Sequence, residues 1–191
     1  MKFRLPIFLI LFISVAIVSC NNADKQKERI ADLQMEMDSV FASTRELTPS
    51  QKEKAHELID AYLQYADQHQ QDPNAAAYMF EAARLTTALP EYERAIEIFR
   101  LIVNKFPESE YAPRSLLSIG GIYDVSIGDY EQAKKAYEEL NEKYPLQAEE
   151  YDVPAILRTL GMPADQILRQ LRSANGTADS MDIRNGSASA E

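Results

Sequence analysis

The sequence predicts an all-α chain: a short superhelix of stacked helical hairpins with further helices flanking it. Three observations predict it. Apolar residues recur at three- and four-residue steps in segment after segment, and no segment sustains an alternation of period two. Proline, glycine and capping residues punctuate the chain at the ends of those segments. A spaced triplet of residues recurs three times along the middle of the chain.

Taken in order, residues 1–19 read as a lipoprotein signal peptide. Lys2 and Arg4 give a positive start, and Ile7 to Val18 is an apolar run broken only by Ser14. That run is shorter than the ~20 apolar residues of a transmembrane helix and suits a signal core. It ends in Ile17-Val18-Ser19-Cys20, which resembles a bacterial lipobox, and Cys20 is the one cysteine of the chain. The resemblance implies cleavage before Cys20 and lipidation of its thiol, with palmitate among the expected acyl groups. Two or more acyl chains would hold the protein firmly to a bilayer. Asn21 follows the cysteine in place of an aspartate, which by analogy with enterobacteria points to the outer membrane, facing the periplasm or the cell surface. Cleavage leaves 172 residues and, with Lys2 and Arg4 gone, takes the formal charge from −10 to −12.

Residues 20–27 are polar and read as a tether. An N-terminal helix over 28–47 carries Ile30, Leu33, Met37, Val40 and Phe41 on one stripe. Thr48-Pro49-Ser50-Gln51 opens the next helix: Thr48 caps, Pro49 suits the first turn, and Gln51 completes a capping box. Asp72-Pro73 looks like the same start signal for a helix to about Ala88. Pro90 opens a helix that Pro107 stops. Another spans about Tyr111 to Ser126, with Pro113 in its first turn. Gly128-Asp129 reads as turn and cap for a helix to Tyr144, which Pro145 ends. Residues 146–173 read as two capping helices, roughly 147–160 and 163–173, split by Gly161-Met162-Pro163. The tail over 174–191 is small and polar, too poor in apolar residues to order itself.

The repeat lies in the second helices of the hairpins. With Ala95 set on Ala133, Tyr92 falls on Tyr130, Phe99 on Tyr137, Phe106 on Tyr144 and Pro107 on Pro145, an offset of 38. Ala61, Tyr65 and Pro73 form a third copy at an offset of 34. A small Ala lets two helices approach, the aromatic one turn on fills the gap to the next hairpin, and the Pro ends the helix. The fullest copy is Leu116-x2-Ile119-Gly120-x2-Tyr123, then Gly128-Asp129-Tyr130-x2-Ala133-x3-Tyr137-x7-Pro145. It resembles the tetratricopeptide repeat (TPR) family. The resemblance covers 48–145 and implies a TPR-type superhelix of about three repeats. Tyr78, Glu81, Ala82 and Leu85 stand where the first-helix pattern of the middle copy is expected, with Glu81 a departure from it. The chain is similar to bacterial cell-envelope TPR proteins, a class that includes the lipoprotein of the outer-membrane assembly machine and the Tol system's periplasmic partner.

Composition narrows the function. There are 20 Lys+Arg against 30 Asp+Glu, which argues against nucleic-acid binding, since phosphates need cationic partners. One cysteine and two histidines, His56 and His69, leave no Cys-rich or His-pair metal site and no visible nucleophile–base pair. No cofactor motif is present. Glu138-Glu139 and Glu149-Glu150 are adjacent on helices and point apart. The reading is therefore non-enzymatic: a membrane-tethered TPR adaptor that binds a protein or peptide partner. In the family the first helix of each hairpin lines a concave groove. By that alignment the groove residues are Met79, Ala83 and Thr86 in one repeat, and Arg114, Leu117, Gly121 and Asp124 in the next. Alternatives are a structural subunit of an outer-membrane protein assembly complex, or an oligomeric envelope scaffold formed through helix 28–46.

Overall fold

The computed structural model describes the backbone of residues 5–43, 46–163, 165–169 and 172, with side chains from Asn22 onward. The Cys20 thiol and the tail over 174–191 lie outside what is described. All regular structure among the described residues is helical: α1 (Leu5–Ser43), α2 (Pro49–Gln68), α3 (Ala75–Ala88), α4 (Tyr92–Lys105), α5 (Tyr111–Gly121), a π-helical continuation (Ile122–Ile127), α6 (Tyr130–Lys143), α7 (Pro145–Glu150) and α8 (Val153–Thr159). Each helix packs on the next, and α3 also touches α5, so the first helices of successive hairpins lie side by side. This is the TPR-type hairpin stack that the resemblance implies.

Two cores hold it together. Ile30 and Met37 of α1, Leu58, Ile59, Tyr62 and Tyr65 of α2, and Ala82 of α3 form one. Met79 and Ala83 of α3, Phe99 and Ile102 of α4, Leu116 and Ile119 of α5, Tyr137 and Leu140 of α6, and Val153 of α8 belong to the other. Helix α3 serves both, which is why its sequence AAAYMFEAARLTTA is apolar on more than one side.

Several expected boundaries hold for the reasons given. Thr48 and Gln51 form the reciprocal capping box at the start of α2, with Pro49 in the first turn. Asp129 caps α6 by accepting from the Gln132 amide at 3.0 Å. Gly128 takes the left-handed conformation at φ 80°, and the Asp129 amide reaches back to the Tyr123 carbonyl at 2.8 Å.

Others differ. Residues 22–27 are helical and packed, not a tether: Ala23 joins the first core, and Gln26 and Lys27 bond to the end of α2 and the turn after it. Asp72-Pro73 does not start α3. The Asp72 carboxylate instead accepts from the Asn74 amide at 2.8 Å, and the helix begins at Ala75. The span 147–160 breaks in two at Asp152, which adopts φ 52°, and Pro154 sits in the first turn of α8. Pro145 starts α7 as well as following the end of α6 at Tyr144.

The third repeat copy is shifted. His69, Phe106 and Tyr144 end α2, α4 and α6 with the same backbone, φ near −130°, and each donates its amide to the carbonyl four residues back. Eleven residues before Phe106 and Tyr144 stand Ala95 and Ala133, both fully buried. Eleven before His69 stands Leu58, and Tyr62 takes the aromatic position of Phe99 and Tyr137. Ala61 is only half-buried. Gln70, Gln71 and Asp72 separate His69 from Pro73, whereas Pro107 and Pro145 directly follow their caps. An alignment on the prolines therefore slides the first copy by three residues.

Candidate ligand groove

The α5–α6 hairpin closes on one glycine. A Cβ at Gly120 would lie 2.4 to 2.7 Å from three ring carbons of Tyr137, so only glycine lets the helices meet at this distance. Burial, with the nearby Asp124 charge, pushes the Tyr137 phenol up to about 12. Gly121 is the opposite case: nothing lies within 4 Å of where its Cβ would be.

That open side of α5 faces α3 across a hollow of ≈ 330 Å³, lined by Arg84 and Thr87 of α3, Phe99 of α4, Ser118 and Gly121 of α5, and Ile122 and Ser126 of the π segment. A second hollow, ≈ 320 Å³, adjoins it between α1 and α3. Met37, Asp38 and Phe41 of α1, Leu58 and Tyr62 of α2, and Glu81, Arg84 and Leu85 of α3 are among its walls. Arg84 borders both. Its Nη1 donates to the two Glu81 oxygens at 3.1 and 2.9 Å, one turn back on α3. The Glu81 departure from the family pattern thus has a physical role as the carboxylate that orients this guanidinium. The two hollows meet at Arg84 as one track across α1, α3 and α5, with mixed polar and apolar walls and a charged pair at its middle.

The predicted groove residues divide. Met79, Ala83 and Thr86 are buried in the core, and the Thr86 hydroxyl is satisfied by the Ala82 carbonyl at 2.7 Å. They fall inside because α3 is covered on two sides; the face left open carries Arg84 and Thr87. Gly121 lines the hollow between α3 and α5, and Leu117 is half-buried against the larger core. Arg114 is exposed but turned toward the far end of the array. It bonds to Tyr151, which raises its pKa, pairs with Glu110 at 3.4 Å, and lies 5.8 Å from the Tyr111 ring centre. Asp124 is half-buried near Tyr137. Arg84 and Ser118 are the residues the sequence reading missed. Ser118 lies three positions before Gly121 on α5, and Arg84 three after Glu81; those spacings were the available signal.

The histidines are occupied structurally. His56 Nε2 lies 2.5 Å from Glu91, which pairs with Arg94, which pairs with Asp60. His69 Nε2 lies 2.7 Å from the Gln26 side-chain oxygen, with its ring against Tyr65. Among the described residues no group of three His, Cys, Asp or Glu could hold a metal ion.

Residues 114–146 match the family described as Tetratricopeptide repeat. The match spans most of α5, the π segment, α6 and the start of α7. No curated protein matches the chain in sequence.

Proposed function

From a tetratricopeptide repeat over 114–146, a kind of domain that generally binds protein partners, we propose a non-catalytic adaptor of the bacterial cell envelope, anchored by lipid at Cys20. Its concave track across α1, α3 and α5 takes a segment of a partner protein. The observation that carries this is the pair of ready-formed hollows meeting at Arg84. Neither requires a rearrangement to open, so a ligand forgoes little affinity to ordering the protein. The apolar wall residues Met37, Phe41, Leu58 and Phe99 suit the side chains of an extended or helical segment, and the Arg84–Glu81 pair suits a polar group near its middle.

The test is site-specific photo-crosslinking in envelope preparations. A crosslinker at Ser118 or Arg84 should trap a discrete partner; one at Lys134, exposed on α6, should not. Equal trapping at Lys134, or trapping there alone, would assign binding to the outer helix faces. Mass spectrometry of the mature N-terminus tests the anchor, and an unmodified Cys20 thiol would refute it.

A further inference from the structure

We propose that the protein stands on the bilayer on one particular edge, the one formed by the turns between hairpins, so that its helices are upright and the groove opens sideways along the membrane. The proposal rests on acylation of Cys20.

The geometry begins with α1. Its N-terminal part is fastened beside the C-terminus of α2. Gln26 donates to Gln68 at 2.8 Å and meets His69 at 2.7 Å, and Lys27 reaches Asp72 at 2.9 Å. The edge where α1 meets residue 69 is therefore the edge where α2 ends and α3 begins. Alternation of direction puts the turn 106–110 and the junction 144–146 on that same edge. Thr48, 89–91 and 128–129 lie on the opposite one.

The anchor leaves little freedom to choose another pose. Ala23 already packs in the first core, and Cys20 is three residues before it on the same helix. Three residues rise ~4.5 Å in a helix and reach at most ~10 Å if extended. The fourteen residues of α6 span ~21 Å, so the two edges stand about that far apart. A bilayer holding Cys20 meets the near edge first.

The chemistry of that edge is mixed. The turn at 69–74 presents Gln70, Gln71, Pro73 and Asn74, none of them charged. Asp72 within this turn is held by Lys27, and Asp67 just before it by Lys105. Leu146 is 76% exposed at the junction after α6. Glu108 stands exposed in the turn 106–110, so the reach of the anchor, and not the charge of the edge, selects this pose.

The experiment uses the full-length acylated protein in vesicles of phosphatidylethanolamine and phosphatidylglycerol with a nickel-chelating headgroup lipid. With Cys20 acylated, one added cysteine carries a spin label: Gln70→Cys or Leu146→Cys on the near edge, Ser50→Cys or Ser126→Cys on the far one. Strong relaxation by nickel at 70 and 146, with weak relaxation at 50 and 126, is the expected result. Equal relaxation at both edges with Cys20 acylated by mass spectrometry overturns the orientation alone. An unacylated Cys20 overturns the anchor, and the orientation with it.

Discussion

At the scale of single residues, Gly120 and Gly121 are neighbours with opposite duties. Gly120→Ala drives a methyl group into the Tyr137 ring and is expected to cost ~1–3 kcal/mol of stability, read by denaturant unfolding. Gly121→Ala meets open space inside a helix and should be neutral or stabilising by roughly 0.5–1 kcal/mol. The same change should weaken crosslinking from Ser118 if a ligand approaches the α5 backbone. Asp72 is a second informative residue. Burial alone would raise its carboxyl, yet bonds from Tyr65, Lys27 and Asn74 hold it well below the ordinary 3.8. A depressed carboxyl stabilises the fold above its unfolded value and loses that contribution as the pH falls through the folded one. Melting curves should therefore show stability falling from about pH 4 downward. Asp72→Asn should be less stable at neutral pH and lack that part of the acid sensitivity.

Among elements, α2 shows what a sequence can declare. Thr48, Pro49 and Gln51 are local signals that act within one turn, and the structure uses all three. Thr48→Ala should lower stability by about 1 kcal/mol in thermal unfolding. The Ala95 and Ala133 equivalence was legible for a similar reason, since both caps lie eleven residues on and directly precede a proline. The first copy was misread because Gln70, Gln71 and Asp72 lengthen its turn, and an inserted turn looks like helix shift when only the prolines are matched. The break at Asp152 was hidden because Pro154 is compatible with a helix start as well as with a loop. The π segment 122–127 leaves no compositional mark, since it changes the bonding partner and not the residues.

At the scale of the whole molecule, the groove was only half legible. Periodicity gives the apolar stripe of a helix but not how many sides of it neighbours will cover. For α5 one side remains open and Gly121 lies on it; for α3 neighbours take two, so Met79, Ala83 and Thr86 vanish into the interior and Arg84 is left in the groove. Because α3 belongs to both cores, the array should unfold in one transition despite its repeat architecture. Ile30→Ala in the first core, at a cost of ~2–5 kcal/mol, should shift that whole transition, followed by tyrosine signals from both halves. Separate transitions for α1–α2 and α4–α6 would contradict this. The shared helix also has a mechanical meaning. Arg84 is mounted on a helix that both cores share, so a partner bound as proposed above would load that helix directly. If the proposed anchor and partner pull against each other, both hollows last only as long as α3 does, and the endurance of the complex is set by how firmly the two cores clasp its fourteen residues.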